Sequence, residues 1–203
     1  MKNYLAIDTS GSYLSVVAVK NGKAFSSFLP DCAMRQSALL MGEVDRVLKQ
    51  AEMTLQECDF FAAVVGAGSF TGIRIGISAA KGFALACGKP TLPVTSFDVL
   101  AYNAVDEKPL CLVDAMHGYY YACGFENGVA EEPAYLSEAE VLAKARQEGY
   151  TLYAGAPLAL QTKIADPIVG LQKAVETLSA RNAFGELTAV YVRKSSAEEN
   201  LQK

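Results

Sequence analysis

Leu5-Ala6-Ile7-Asp8-Thr9-Ser10-Gly11-Ser12-Tyr13-Leu14-Ser15-Val16-Val17-Ala18-Val19-Lys20-Asn21-Gly22 decides the fold, because the chain carries this pattern twice. Shifted by 106 residues without a gap, it lies over Cys111-Leu112-Val113-Asp114-Ala115-Met116-His117-Gly118-Tyr119-Tyr120-Tyr121-Ala122-Cys123-Gly124-Phe125-Glu126-Asn127-Gly128. Asp8 falls on Asp114, Tyr13 on Tyr119, and Asn21-Gly22 on Asn127-Gly128. Only four of eighteen positions are identical, but three of those four belong to turns at the two ends. Each copy predicts an apolar strand, an Asp-led turn, a second strand and an Asn-Gly hairpin into a third. Duplication of one lobe explains this better than chance.

The remaining pattern completes two lobes. In the first, residues 1–105, the third strand is followed by a helix over 33–51 and a strand ending at Gly66. A helix over 71–87 and a short strand over 91–94 come next. Asp106-Glu107-Lys108-Pro109 reads as the junction. The smaller second lobe, 106–193, repeats the hairpins and adds a helix over 137–147, where Ser137 and Glu140 form a capping box. A strand over 150–153, a helix over 168–178 and a last strand over 187–192 follow, with 194–203 a flexible tail. Two β-β-β-α-β-α lobes resemble the plan of the actin/Hsp70/sugar-kinase superfamily, a duplicated α/β fold of RNase H-like lobes. In that plan the Asp-led turns face each other across a cleft and hold a nucleotide. Asp8, Thr9 and Ser10 offer a carboxylate and two hydroxyls, whereas the turn at Asp114 continues with Ala115 and Met116. Asp8, Thr9, Ser10 and Asp114 therefore read as a vestigial nucleotide site, the alternative being that both aspartates cap turns.

Bulk composition narrows the function. At 203 residues and 51% hydrophobic, the chain buries a sizeable core. No run approaches 18 apolar residues, and the start turns acidic at Asp8, so neither a membrane span nor a signal peptide is expected and the cytosol is the expected compartment. Five scattered cysteines without Cys-x-x-Cys, and a single histidine, His117, oppose a disulfide frame and a metal centre. A net charge of −4 gives no basic face for nucleic acid, so a partner would have to hold any RNA.

Gly66-Ala67-Gly68-Ser69-Phe70-Thr71-Gly72-Ile73-Arg74 sits between a strand and a helix. It is either a phosphate cradle or a tight turn in which Ser69 or Thr71 caps a closely packed helix. Neither the P-loop nor the Gly-x-Gly-x-x-Gly spacing fits it.

Together with Ile7-Asp8-Thr9-Ser10, with Val113 to Ala122 and with Val190-Tyr191-Val192-Arg193, this loop resembles the TsaB (YeaZ) family over nearly the whole chain. The resemblance implies a non-catalytic scaffold in tRNA threonylcarbamoyladenosine synthesis. Such proteins pair with the paralogous catalytic subunit TsaD and help recruit the ATPase TsaE. The assembly modifies adenosine 37 of ANN-decoding tRNAs, and tRNA is met only through the complex. TsaD-type enzymes hold a metal with His-x-x-x-His on their first long helix, whereas Arg35-Gln36-Ser37-Ala38-Leu39-Leu40-Met41 has no histidine. No catalytic residue, metal or required cofactor is expected, and weak nucleotide binding is compatible with the site. An active ATPase or transferase of the same fold is the alternative. A protease would need Cys32 or Ser69 beside the distant His117.

Two helices look exposed to a partner. Gly72, Gly76, Ala80 and Ala84 recur every four residues, with Phe83 nearby, and Met34, Ala38 and Met41 form a strip on the preceding helix. Either the two helices consume this surface against the chain itself, or it joins TsaD and closes a homodimer when the chain is alone. On the second reading, Ala80→Glu or Gly76→Leu leaves the lobe folded and abolishes pairing.

Overall fold

The computed structural model describes residues 2–104 and 108–192. β1 (Tyr4–Asp8) is buried throughout, and alternation sends Leu5 and Ile7 to one face, Tyr4 and Ala6 to the other. It is the middle of five strands with β2 (Leu14–Lys20), β3 (Lys23–Leu29), β4 (Phe60–Val64) and β5 (Thr91–Val94), ordered β3-β2-β1-β4-β5. The β1-β2-β3 meander is antiparallel, while β4 and β5 run parallel to β1.

The second sheet contains β6 (Pro109–Asp114), β7 (Tyr119–Glu126), β8 (Val129–Ala130), β9 (Ala134–Ser137), β10 (Thr151–Ala154) and β11 (Lys163–Ile164). Its order is β11-β10-β6-β7, with β8 and β9 sharing the outer edge of β7. The repeat survives in detail. Both hairpin turns have φ of 52° at Asn, and Gly22 and Gly128 follow at 80° and 72°. The third strand is whole in the first lobe but split in the second across Glu131-Glu132-Pro133, where proline offers no N–H to a ladder.

α1 (Gln36–Gln50) and α2 (Phe70–Cys87) cover one face of the first sheet through Leu40, Val44, Val47, Ile73, Ile77 and Ala80. α4 (Glu138–Glu148) starts at Ser137 with the expected capping box. α3 (Ser96–Ala101), which the sequence reading did not anticipate, carries the same signature in Thr95 and Asp98. Segment 155–162, between β10 and β11, forms no counterpart of α2.

The lobes exchange their last helices. α3 sets Phe97, Leu100 and Ala101 against Cys111, Cys123 and Phe125 of the second sheet. α5 (Pro167–Ala180), from the second half of the chain, sets Leu171, Ala174 and Val175 against Tyr4, Ala6 and Phe60 of the first. Where the two helices meet, a Cβ on Gly170 would overlap the Val99 carbonyl, and the Asn103 amide donates to both Val99 O and Asp166 O.

The expected strand at 187–192 does not form. That segment instead runs back over the first lobe: Gly185 N–H donates to Thr91 O at 3.0 Å and Val190 N–H to Val65 O at 2.7 Å. Leu187 is fully buried and Ala189 packs beside it, so apolar cover for the first core decides the path. Asp106 and Glu107 of the expected junction, Arg193, and the tail 194–203 lie outside the described residues.

Two glycines of equal helical status should respond oppositely to alanine. Gly170→Ala should destabilise by about 1–3 kcal/mol through overpacking. Gly82→Ala, with nothing within 4 Å of its new Cβ, should stabilise by about 0.5–1 kcal/mol. Urea unfolding midpoints measure both.

Candidate functional site

The end of β1 is a closed turn. Asp8, Thr9 and Ser10 are at most 4% exposed. Asp8 Oδ1 accepts from Ser10 N–H at 2.8 Å and Ser10 Oγ at 2.7 Å, and Oδ2 accepts from Tyr13 Oη at 2.8 Å. Burial raises the Asp8 carboxyl above its ordinary range despite these bonds, and burial, then the Asp8 charge, drives the Tyr13 hydroxyl up as well. Thr9 Oγ1 donates to Gly72 O at 2.6 Å. The Gln36 amide nitrogen lies 3.2, 2.8 and 2.9 Å from the carbonyls of Thr9, Gly11 and Tyr13. Asp8, Thr9 and Ser10, read from the sequence as part of a vestigial nucleotide site, are thus turned into the chain. Their polar atoms are spent within the chain.

Asp114 is exposed, and its Oδ1 accepts from Met116 N–H at 2.8 Å. That is the same two-residue turn bond as Asp8 makes with Ser10. The turn-capping alternative therefore describes both aspartates.

The glycine loop is a turn as well. Ser69 caps α2 by accepting from Gly72 N–H at 3.1 Å, and Ser69 N–H itself donates to Ser10 O at 2.7 Å. Gly66 and Gly68 have φ of 130° and 143°. A Cβ at Gly66, Gly68 or Gly72 would overlap the carbonyl oxygens of Val190, Ser10 or Thr9 respectively. These carbonyls pack closely against the glycines, and Ser69 caps the helix, as the tight-turn alternative expects.

The same closeness corrects the expected interface. A Cβ on Gly76 would lie 2.7 Å from Thr9 Oγ1, and Gly72, Gly76, Ala80 and Ala84 are all buried against the chain's own first sheet. Phe83 is half-buried beside Phe61, ring centroids 5.8 Å apart. The small row lets α2 settle onto β1 and β4, so Gly76→Leu and Ala80→Glu strike the core rather than a free face. Met34, Ala38 and Met41 are exposed, Met34 to 96% and Met41 to 53%.

Between α1 and α2 lies an open groove of about 560 Å³ lined by Ser37, Leu40, Met41, Phe70, Thr71, Arg74, Ile75, Ser78 and Ala79. β3 and β4 both run parallel to β1, so the helices that follow them return side by side with their N-termini at one end. The rim is ordered by a cluster the sequence reading missed. Phe70 stacks on Tyr191 at 5.0 Å and 24°, and the Arg74 guanidinium lies 3.8 Å from the Phe70 centroid. Arg74 Nε donates to Tyr191 Oη at 3.1 Å. An arginine in an apolar helix was the available signal; its partner 117 residues away was not.

A nucleophile–base pair is not assembled from the expected residues. Buried Cys32 donates to Leu29 O, Ser69 caps α2, and His117 sits on an exposed turn of the other lobe. Among the described residues no three His, Cys, Asp or Glu side chains converge as a metal cluster, and no helix is long and apolar enough to cross a membrane.

Residues 17–198 match the family model described as TsaD, tRNA N6-adenosine threonylcarbamoyltransferase. A Buchnera aphidicola protein named tRNA threonylcarbamoyladenosine biosynthesis protein TsaB is 33% identical over 100 residues, covering 49% of this chain and 47% of its own length. A Bacillus subtilis protein of the same name is 29% identical over 132 residues, covering 63% and 58%. The chain thus spans 47% and 58% of these relatives' length. A crystal structure from Pseudomonas aeruginosa, described as an uncharacterized protein with similarity to peptidase YEAZ, superposes with a TM-score of 0.80. Its sequence is 25% identical, and the match covers 95% of this chain and all of that one.

The buried carboxylate of Asp8 gives a pH-dependent signature. Its folded-state pKa lies above the unfolded value, so ionisation opposes folding. The cost is absent below the unfolded pKa and grows as pH rises to the folded one. Asp8→Asn should therefore gain stability relative to wild type on going from acid to neutral pH. Urea titrations at both pH values measure the difference, and a pH-independent difference would refute it.

Proposed function

Because the chain belongs to the family of the TsaD model, and within it to the TsaB (YeaZ) group, we propose that it is a scaffold subunit in forming N6-threonylcarbamoyladenosine at position 37 of ANN-decoding tRNAs. It pairs through the α1–α2 groove with a catalytic paralogue of the TsaD type and helps to recruit a TsaE-type ATPase. The observation that carries this reading is the groove itself. It exposes Met41 and Phe70, and Met34 nearby, on a helix pair whose other side is fully engaged with the first sheet. Methionine suits a surface that repacks against a partner. A paralogue built on the same family model has a similar helix pair to offer, and two such pairs can bury an interface on the order of 1,200–2,000 Å².

The division of labour follows from the residues at the sheet end. In place of the paralogue's histidine pair, α1 begins with Gln36, whose amide is taken up by three backbone carbonyls. Asp8 is likewise bonded to Ser10 and Tyr13, which supports a part that requires no cofactor and leaves room for weak nucleotide binding. With a net charge of −4, it meets tRNA only through the assembly. Alone, the chain closes the same surface against a second copy.

Met41→Glu tests the reading. The side chain is exposed, so the circular dichroism spectrum and melting temperature should be unchanged, while affinity for the full-length TsaD-type subunit should fall by about 100-fold or more. Gel filtration with light scattering reads the complex. Co-elution at wild-type affinity would remove this surface from the interface.

A further inference from the structure

Resting on that docking reading, we infer that the groove selects a partner helix carrying an Asp or Glu that pairs with Arg74, and that it thereby favours a heterologous partner over a second copy of this chain. Among the described residues Arg74 is the only charged one lining the groove. Among the described residues no carboxylate pairs with it; every ion pair lies elsewhere. The guanidinium is nevertheless held, over the Phe70 ring at 3.8 Å from its centroid and tied through Nε to Tyr191 Oη. With Nε committed, the two terminal nitrogens form the edge left for an acceptor, which suits end-on, two-point capture of a carboxylate. An arginine already fixed in place loses little freedom on binding.

The surroundings reinforce the sign. α1 and α2 both present their N-terminal, partially positive ends at the groove, and neither has an acidic residue in its first turn. The carboxylates further along α1 are engaged, Glu43 with Arg46 and Ser27, Asp45 with Lys49. In a two-fold self-contact each copy meets the same surface, so Arg74 would face a groove without a free acid. A partner whose apolar helix also carries one carboxylate satisfies both the groove and the guanidinium.

The experiment is calorimetric titration of the full chain with its full-length TsaD-type subunit at low and high salt, alongside sedimentation of the chain alone. Arg74→Gln should weaken the mixed complex by about 10- to 100-fold and flatten its salt dependence. Self-association should be unchanged or tighter. Tyr191→Phe, which keeps the charge and loses only the tether, should weaken it by no more than about tenfold. Arg74→Lys should fall between wild type and Arg74→Gln. Unchanged affinity in Arg74→Gln, with Met41→Glu still abolishing binding, would overturn the carboxylate contact and leave the docking surface standing. Equal weakening of self-association would overturn the discrimination. Wild-type affinity in both variants, or no mixed complex at all, would overturn the docking reading together with this inference.

Discussion

The contact between the first turn of α2 and the end of β1 fixes the geometry on which everything else rests. Thr9 Oγ1 donates to Gly72 O while the Thr9 carbonyl occupies the space that a Cβ on Gly72 would need. Gln36, at the start of α1, reaches the same carbonyl and two more. One short turn therefore sets the height of both helices above the sheet, and with it the width of the groove between them.

The two lobes share their packing. α3 and α5 cross at Gly170, each covering the other lobe's sheet, and segment 183–192 returns to lay Leu187 into the first core. That return places Tyr191 on Phe70 and so builds the rim of the groove from residues of both halves of the chain. Folding of the C-terminal half and shaping of the groove are thus coupled through ordinary apolar burial, which contributes roughly 1.5–3 kcal/mol for each large side chain fully removed from water.

What the sequence disclosed follows from local rules. Asn-Gly turns, the Ser137–Glu140 capping box and the apolar runs on either side of them have local causes, and each appears where its residues predict. The duplicated Asp turn was legible, but its role was not. Whether Asp8 faces a cleft or a neighbouring tyrosine depends on which way Tyr13 folds back over it. Spacing also located the small row on α2 without revealing which side of the helix faces the sheet. Gly72, Gly76, Ala80 and Ala84 would read the same in a free face and in a core seam. The segment 187–192 alternates like a strand, yet the first core claims it before the second sheet can. Arg74 and Phe70 acquire meaning only from Tyr191, a contact that no window of sequence contains.

Hydrogen–deuterium exchange on the chain with and without its TsaD-type subunit tests the central claim most directly. Slowed exchange concentrated in residues 34–41 and 70–79, with the strands of the second sheet unaffected, is the predicted outcome. Protection over the β7–β9 face, with both helix N-terminal halves exchanging as in the free chain, would contradict it.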